Sequence, residues 1–430
     1  MVKKKRKSPL PVLIAIALGV IVGQYVGKTG TLFGINLFSA FELLGKLFIN
    51  SLTLIVVPLV ASSIITGIAK MGNDSGFGRL SAKIFGFYFI TTLSAVLIGL
   101  FFVNVLNPGK LDPTVAVKLL ADNSHSAMQE KILSQKALTI PDVILQIIPP
   151  NIVDAFHGQM LGLIFVSLLF GYALSKIAPS PQAILLGFWQ GIFQTTIAMT
   201  DLIMKFLPIG VFCLVAQSFA ISGIQALKPL ALFCLTVVAG LATFSLIALP
   251  LLLKVVGKVN PITHFKAMSP ALITAFSTSS SAASLPITIE CVEQRAGVSN
   301  RICSLVVPLG TSINMSGSAL YECVGALFIA QFFGIEISFT TQFSVVLLSL
   351  LTSMGVAGIP SASIVAMVMI LKAIGLPTES IGILLAVDRV LDMCRTTVNV
   401  FSDSCCAVLV AKSEGEKEVL VRETFDEVIS

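Results

Sequence analysis

The sequence predicts an all-α integral membrane protein, and three observations carry the prediction. Of its 430 residues, 55% are hydrophobic and only 12% charged, about half the charged share of a soluble domain. Mean hydropathy is +0.96 over the whole chain, so no long stretch is polar enough to be a soluble domain on a single anchor. The apolar runs recur at lengths near the ~20 residues that a helix needs to cross hydrocarbon, leaving room for about eight to twelve membrane elements. An ordinary soluble enzyme is excluded, and nothing predicts a nucleic-acid partner. The eight cysteines lie mostly inside apolar runs, with no CxxC pair and no histidines at metal spacing; they read as free packing thiols.

The first element follows a basic start. Five of the 28 basic residues fall at positions 3–7, ahead of an apolar run from Pro9 to Val26. A signal peptide ends at a small-residue cleavage site before a polar mature chain. Here equally apolar segments follow, so the run reads as a first membrane helix with a cytoplasmic start. Further apolar spans cover 41–70, 81–106, 159–177, 183–220 and 227–256. Alternating crossings put Lys70, Arg79 and Lys83, then Lys176, then Lys254, Lys258 and Lys266 inside, which is self-consistent. The stretch 107–140, opening on Asn107-Pro108-Gly109, falls outside as a loop. The mixed-charge tail 413–430 falls inside, giving a multi-pass protein of an inner or plasma membrane with both termini cytoplasmic.

After Pro261 the apolar runs break repeatedly at Ser, Gly, Pro and Asn. The breaks are STSSSAASLP (277–286), GTSINMSGS (310–318) and GVAGIPSAS (355–363). Irregular backbone at membrane depth survives only when it is buried in protein or lines a watery cavity. The pattern repeats: Leu285-Pro286 precedes a helix carrying Ile313-Asn314, and Ile359-Pro360 precedes one carrying Val398-Asn399. Each half reads as a re-entrant hairpin followed by a helix, the arrangement that places a transporter site near the midplane.

The final apolar span, from Ile381 to Val410, holds the chemistry. At about 100° per residue, Asp388, Asp392, Arg395, Asn399 and Asp403 share an arc of about 80°. Facing lipid, the cluster would cost on the order of 10 kcal/mol, so it faces the protein interior. One arginine does not neutralise three aspartates, and the excess charge calls for a cation. Arg395 offers a fork suited to a carboxylate, and Asp392 offers the opposite charge beside it. That pair matches an acidic amino acid, whose backbone carboxylate can meet hydroxyls and N–H groups at Ser279, Ser280 and Ser281. In the preceding helix Asn314, Ser318 and Glu322 fall on one face. Asn314, Asn399 and Asp403 offer hard oxygen ligands, which suit Na+ better than a transition metal. Glu322, in an apolar run, is either a proton carrier or a helix-end residue reaching water.

With these residues in view, the chain resembles the dicarboxylate/amino acid:cation symporter family, the glutamate and aspartate transporters. The resemblance spans nearly the whole chain and rests on STSSSAASLP, NMSGSALYE, GIPSAS and LDMCRTTVNVFSD in order. It implies eight transmembrane helices, two re-entrant hairpins, inverted repeats, a homotrimer in membrane lipid, and an elevator-type transport domain moving against a scaffold. The implied scaffold is 1–80 (helices one and two) and 141–225 (helices four and five). The implied transport domain is 81–106 (helix three) and 226–412 (helix six, hairpin one, helix seven, hairpin two, helix eight). By the same resemblance, substrate is held by Ser280, Ser281, Ser318, Ile359, Ser363, Asp392, Arg395, Thr396 and Asn399. One Na+ site uses carbonyls of Gly310, Asn314 and Asn399 with Asp403. A second uses carbonyls of Ser312, Ser353, Met354 and Val356, and a third uses Tyr88, Thr91, Thr92 and Asn314.

Several departures qualify what is implied. The family's NMD aspartate is Ser316 here, so the third cation site lacks its carboxylate. Ser279 and Met393 stand where members carry an extra arginine, and Ser363 stands for a glycine common at the second tip. Glu322 occupies the place of the carrier glutamate of proton-coupled members. The expectation is a symporter, not an enzyme, for acidic amino acids driven by Na+, H+ or both. Alternatives are a C4-dicarboxylate or neutral polar substrate on the same fold, or a passive anion channel. An intramembrane protease fails on partners, because His125, His157 and His264 lie off the polar helix face, leaving no Ser–His dyad, and no GxGD motif is present.

Overall fold

The computed structural model describes residues 10–32, 35–69, 77–110, 148, 150–153, 160–223, 227–335, 338–353, 362–376 and 378–420. Helix dominates. The only strands among the described residues are the two-residue pair β1 (Thr31–Leu32) and β2 (Ile35–Asn36), antiparallel between the first two helices.

The early spans form where hydropathy places them, as α1 (Leu10–Val26), α2 (Leu37–Ala69), α3 (Phe77–Leu106) and α4 (Met160–Leu174). Most of the expected loop 107–140 lies outside the described residues. The run 183–220 is a correction: it is two helices, α5 (Pro179–Ile203) and α6 (Leu207–Ser222). Pro208 in the first turn of α6 lacks the N–H that would continue the ladder, so a new helix starts there. The next span is α7 (Leu227–Thr243), a π-helical turn at Phe244–Ala248, and α8 (Leu249–Val255). Pro250 cannot donate back along the helix, and the widened turn before it absorbs the mismatch.

The first hairpin is α9 (Pro261–Thr278) packed on α10 (Ser281–Glu290). Pro261 and Asn260 start it, the Asn260 side chain accepting from Ile262 N–H at 2.9 Å, a proline-led N-cap. Ser279 turns the chain in the left-handed region at φ 51°, and Ser280 caps α10 by accepting from Ala283 N–H at 3.2 Å. α11 (Asn300–Ile313) and α12 (Ser316–Phe332) are parted by Asn314 and Met315 in non-helical conformations. The predicted break at 310–318 is therefore present. α13 (Phe339–Ser353) and α14 (Ala362–Ala373) flank the third predicted break, most of which lies outside the described residues. α15 (Ile381–Ser413) closes the fold.

Two groups of helices result. In one, α1 lies along α6 so tightly that a side-chain carbon on Gly23 would sit 2.3 Å from the Ala216 carbonyl oxygen. α2 joins that group by packing on α4, α5 and α6. In the other, α3, α7, α13, α14 and α15 surround α12, which is buried along nearly its whole length. The distribution of polarity is inverted relative to a soluble protein. Leu54, Phe101, Leu246, Ile247 and Leu251 are each at least 60% exposed, while Arg395, Glu322 and Asn314 are 0% exposed. Apolar outside and charged inside fits lipid as the solvent. Among the described residues, Leu37–Ala69, Arg79–Leu106, Leu227–Val255 and Asn300–Phe332 are long and apolar enough to cross a membrane.

Beyond α15 the chain runs as a strap over one end of the second group. Lys83 of α3 donates to the Ser413 carbonyl at 2.8 Å and to Glu414 at 2.5 Å. That lysine holds the Glu414 carboxyl below the usual carboxylate range. Glu416 accepts from Ser299, and Leu420 N–H donates to the Ala296 carbonyl at 2.9 Å.

Candidate functional site

Arg395 sits at the centre of the polar face of α15, fully buried. Its Nη2 donates to Asp388 Oδ1 and to Asp392 Oδ1, each at 2.9 Å. The Tyr321 ring lies 3.8 Å from its guanidinium carbon, within cation–π range. Among the described residues, Nε and Nη1 of Arg395 have no hydrogen-bond partner. A buried guanidinium fork with unused donors has the geometry to accept a carboxylate. Arg389 approaches the other Asp392 oxygen at 3.9 Å. Arg395 and Asp392 thus meet each other directly, with Asp388 completing the charge balance of this end of the site. Thr396 is buried beside them.

One turn further on, Asn399 closes the broken end of α12. Its Oδ1 accepts from Gly317 N–H at 2.8 Å and Ser318 N–H at 3.3 Å, and its Nδ2 donates to Ser318 Oγ at 3.1 Å. Those N–H groups have no intrahelical acceptor at a helix start, so a side chain from another helix supplies one.

Asn314 belongs to a second cluster. Its Nδ2 donates to Asp403 Oδ1 at 2.9 Å and Ser402 Oγ at 3.2 Å. Its Oδ1 accepts from Thr91 at 3.0 Å, Thr92 at 3.3 Å and Ser316 at 3.1 Å. Asp403 is 1% exposed, and its Oδ2 has no partner among the described residues. A carbon on Gly310 would lie 2.4 Å from Asp403 Oδ1, so only glycine permits this approach. An orphaned carboxylate oxygen of this kind could serve a hard cation, with oxygen ligands preferred over nitrogen or sulfur. Ser316, where the resemblance puts an aspartate, bonds Thr92 and Ser402 at 3.3 and 3.1 Å, so the hydroxyls satisfy one another. Tyr88 is a neighbour by helix but its hydroxyl donates to the Val306 carbonyl at 2.5 Å.

The face expected to join Asn314, Ser318 and Glu322 is a correction. The helix is broken at Asn314 and Met315, which separates Asn314 from the other two, while Ser318 and Glu322 stay four residues apart on α12 with different partners. Asn314 goes to Asp403, Ser318 to Asn399, and Glu322 to Thr352, whose hydroxyl donates to Glu322 Oε2 at 2.8 Å. Glu322 is 0% exposed, which removes the helix-end reading.

Ser280 caps the first hairpin tip, and Ser281 is buried in the first turn of α10. Ser312 is half-buried at the end of α11. Ser353 donates to the Leu350 carbonyl at 2.9 Å, and Ser363 is buried at the start of α14. Ile359, Met354 and Val356 lie outside the described residues. One exclusion is also corrected. His264 does meet a serine, its Nε2 lying 3.0 Å from Ser404 Oγ. Both are fully buried, and Ser404 Oγ donates to the Phe401 carbonyl at 2.7 Å. Enclosed in this way, the pair offers no access to a substrate peptide.

Sequence reasoning missed Ser402, Tyr321 and Thr352. Ser402 falls at the edge of the polar arc of α15, and Tyr321 follows Ser318 by three residues. The helical repeat could have found both. Thr352 carries no such signal.

The profile of the sodium:dicarboxylate symporter family matches residues 10–413. The Escherichia coli proton/glutamate-aspartate symporter is 33% identical over 94% of this chain and 92% of its own. The Geobacillus stearothermophilus proton/sodium-glutamate symport protein is 32% identical over 94% of each. The mouse excitatory amino acid transporter 3 is 31% identical over 94% of this chain and 84% of its own.

Proposed function

The chain belongs to the sodium:dicarboxylate symporter family, and from that premise we propose that it takes up acidic amino acids, aspartate or glutamate, in symport with Na+, H+ or both. The observation that carries the reading is the polar face of α15. Among the described residues, Arg395 keeps free donors suited to a substrate carboxylate, and Asp403 keeps a free oxygen suited to a cation. The two lie two turns apart on one helix, so binding at one position bears on the other through a rigid element.

In this reading, Arg395 takes the side-chain carboxylate, Asp392 the amino group, and the hairpin tips at Ser281 and Ile359 enclose the backbone carboxylate. Ser280, Ser318, Ser363, Thr396 and Asn399 complete the pocket. Cations use Gly310, Asn314, Asn399 and Asp403, and the carbonyls of Ser312, Ser353, Met354 and Val356. Cation binding lowers the excess negative charge and favours the loaded, closed state, a linkage between two ligands. Each net positive charge carried inward draws about 2.3 kcal/mol per 100 mV. Eight crossings and two re-entrant hairpins, both termini cytoplasmic, build the subunit of a homotrimer. The second helix group, α3 and 226–412, is the mobile domain; 1–80 and 141–225 form the scaffold.

The test is uptake of labelled aspartate into proteoliposomes under a sodium gradient or a proton gradient, each imposed alone. Accumulation above the external concentration under either is expected; equilibration without accumulation would mean a channel. Aspartate left outside while a C4-dicarboxylate accumulates would move the substrate assignment.

Ser316 bears on the number of cations. With hydroxyls and an amide but no carboxylate, the Thr91, Thr92 and Asn314 cluster has no charge of its own with which to hold an ion. Ser316→Asp is expected to add one Na+ per cycle, read as a rise of about one in the slope of log uptake against log sodium. An unchanged slope in a folded variant means the cluster is not a cation site in this chain.

A further inference from the structure

The hydroxyl of Thr352 has two close acceptors, a third at 3.5 Å in the Ser349 carbonyl, and one proton to give. It lies 2.8 Å from Glu322 Oε2 and 2.8 Å from the carbonyl of Leu348 in its own helix. The first is a tertiary bond from α13 to α12; the second is the back-bond that a threonine makes inside a helix. The other Glu322 oxygen, Oε1, has no partner among the described residues, and both residues are 0% exposed. Thr352 is also the penultimate residue of α13, next to the segment that joins the arms of the second hairpin.

We propose that Thr352 is a positioning residue that couples the charge of Glu322 to the second hairpin, by reversing the direction of the hydrogen bond between them. When Glu322 is ionised, Thr352 donates to it and leaves the Leu348 carbonyl. When Glu322 takes up a proton from the aqueous side, an O–H bond forms on the carboxyl, which then donates to Thr352 Oγ, and the hydroxyl proton returns to Leu348. The Thr352–Glu322 contact is kept in both states without moving α12, while the end of α13 gains or loses one backbone-anchoring bond. The inference rests on the reading of Glu322 as a proton carrier.

Few charges compete for this contact. From α15, Arg395 faces the region, and it is held by Asp388 and Asp392. On α12 itself Tyr321 stacks on Arg395, and the Cys323 thiol is adjacent. α13 carries no titratable side chain, and α14 carries only Lys372, which is exposed. α3 meets α12 at Gly99, against Leu320 and Val324. Its titratable groups are Tyr88, bonded to Val306, and Arg79 and Lys83 near its start. α7 brings Cys234 and, at its start, Lys228.

The experiment compares Thr352→Val, Thr352→Ser and Glu322→Gln in proteoliposomes, reading aspartate uptake against pH. Infrared difference spectra over the same pH range follow the protonated carboxyl stretch, with Glu322→Gln assigning the band. A hydrogen bond to a charged group is worth enough to move a titration by about one to two pH units. Valine removes the donor that favours the ionised form, so the midpoint of both readouts is expected to move to more alkaline pH by that amount. Serine keeps the wild-type midpoint, and Glu322→Gln abolishes it. A valine variant that titrates like wild type, while Glu322→Gln loses the transition, overturns the role of Thr352 and leaves the carrier intact. A Glu322→Gln protein that keeps the wild-type pH profile and proton-driven accumulation overturns the carrier reading itself. If valine prevents folding, judged by melting temperature, Thr352→Ala carries the same comparison without the added methyl groups.

Discussion

Uptake of aspartate and glutamate is expected to fall to the background of protein-free liposomes when Arg395 is replaced by alanine. A substrate carboxylate brought to this buried position needs a cationic partner, and an unpaired buried charge costs several kcal/mol. At tenfold per ~1.4 kcal/mol, the loss is about a thousandfold or more. The substitution has a second effect, because Asp388 and Asp392 both lose the partner they hold at 2.9 Å. Breaking a buried pair destabilises by about 3 to 5 kcal/mol, so melting temperature is measured beside uptake. Arg395→Lys separates the two consequences. It keeps a charge for the aspartates but loses the planar fork, and is expected to fold while its apparent affinity drops at least about tenfold. Wild-type uptake by a folded Arg395→Ala protein would overturn the acidic-substrate assignment.

Asp403→Asn is expected to raise the sodium concentration needed for half-maximal uptake by two orders of magnitude or more. The replacement is close to isosteric, and its amide oxygen still accepts from Asn314 Nδ2, now at 2.9 Å from the carboxylate. The helices therefore stay packed and only the charge goes. One unit charge at about 4 Å, with an effective dielectric near 20, is worth on the order of 4 kcal/mol. A sodium titration of uptake at fixed aspartate reads the effect directly. Thermal melting with and without sodium gives a check that does not depend on transport, since a bound cation stabilises the folded state by mass action. Superimposable titrations of variant and wild type would remove Asp403 from the cation site.

What could be read from sequence was what repeats along one helix. The wheel of α15 placed Asp388, Asp392, Arg395, Asn399 and Asp403 on one side, and the contacts of Arg395 with two of those aspartates follow from that periodicity. The same rule held for Ser318 and Glu322 on α12 but failed for Asn314, which stops the helix that the rule assumes is continuous. The break itself was legible in GTSINMSGS; its consequence for partners was not. From residue patterns alone Thr352 and Thr91 lay beyond reach for a different reason, and only the family resemblance put Thr91 with Asn314. Each looks like any threonine in an apolar run, and its partner, Glu322 or Asn314, lies 30 or 223 residues away. The split of 183–220 was recoverable from Pro208 and from the length of the run.

The pairing of α3 with elements near the C-terminus sets an order of assembly. Tyr88 bonds a carbonyl 218 residues later, and Lys83 bonds one 330 residues later. α3 leaves the ribosome early, whereas α11, α12 and α15 follow long afterwards, and contacts so distant in sequence form late. In the interval Thr91 can turn its hydroxyl onto the Phe87 carbonyl of its own helix, at 2.9 Å, so α3 can wait in lipid without an unsatisfied donor there. Asn314 has no such refuge: its donors reach Ser402 and Asp403 on α15. The chain is therefore built with its self-sufficient polar helix first and its most demanding one last, and synthesis of the C-terminal strap is the event that locks the second helix group together.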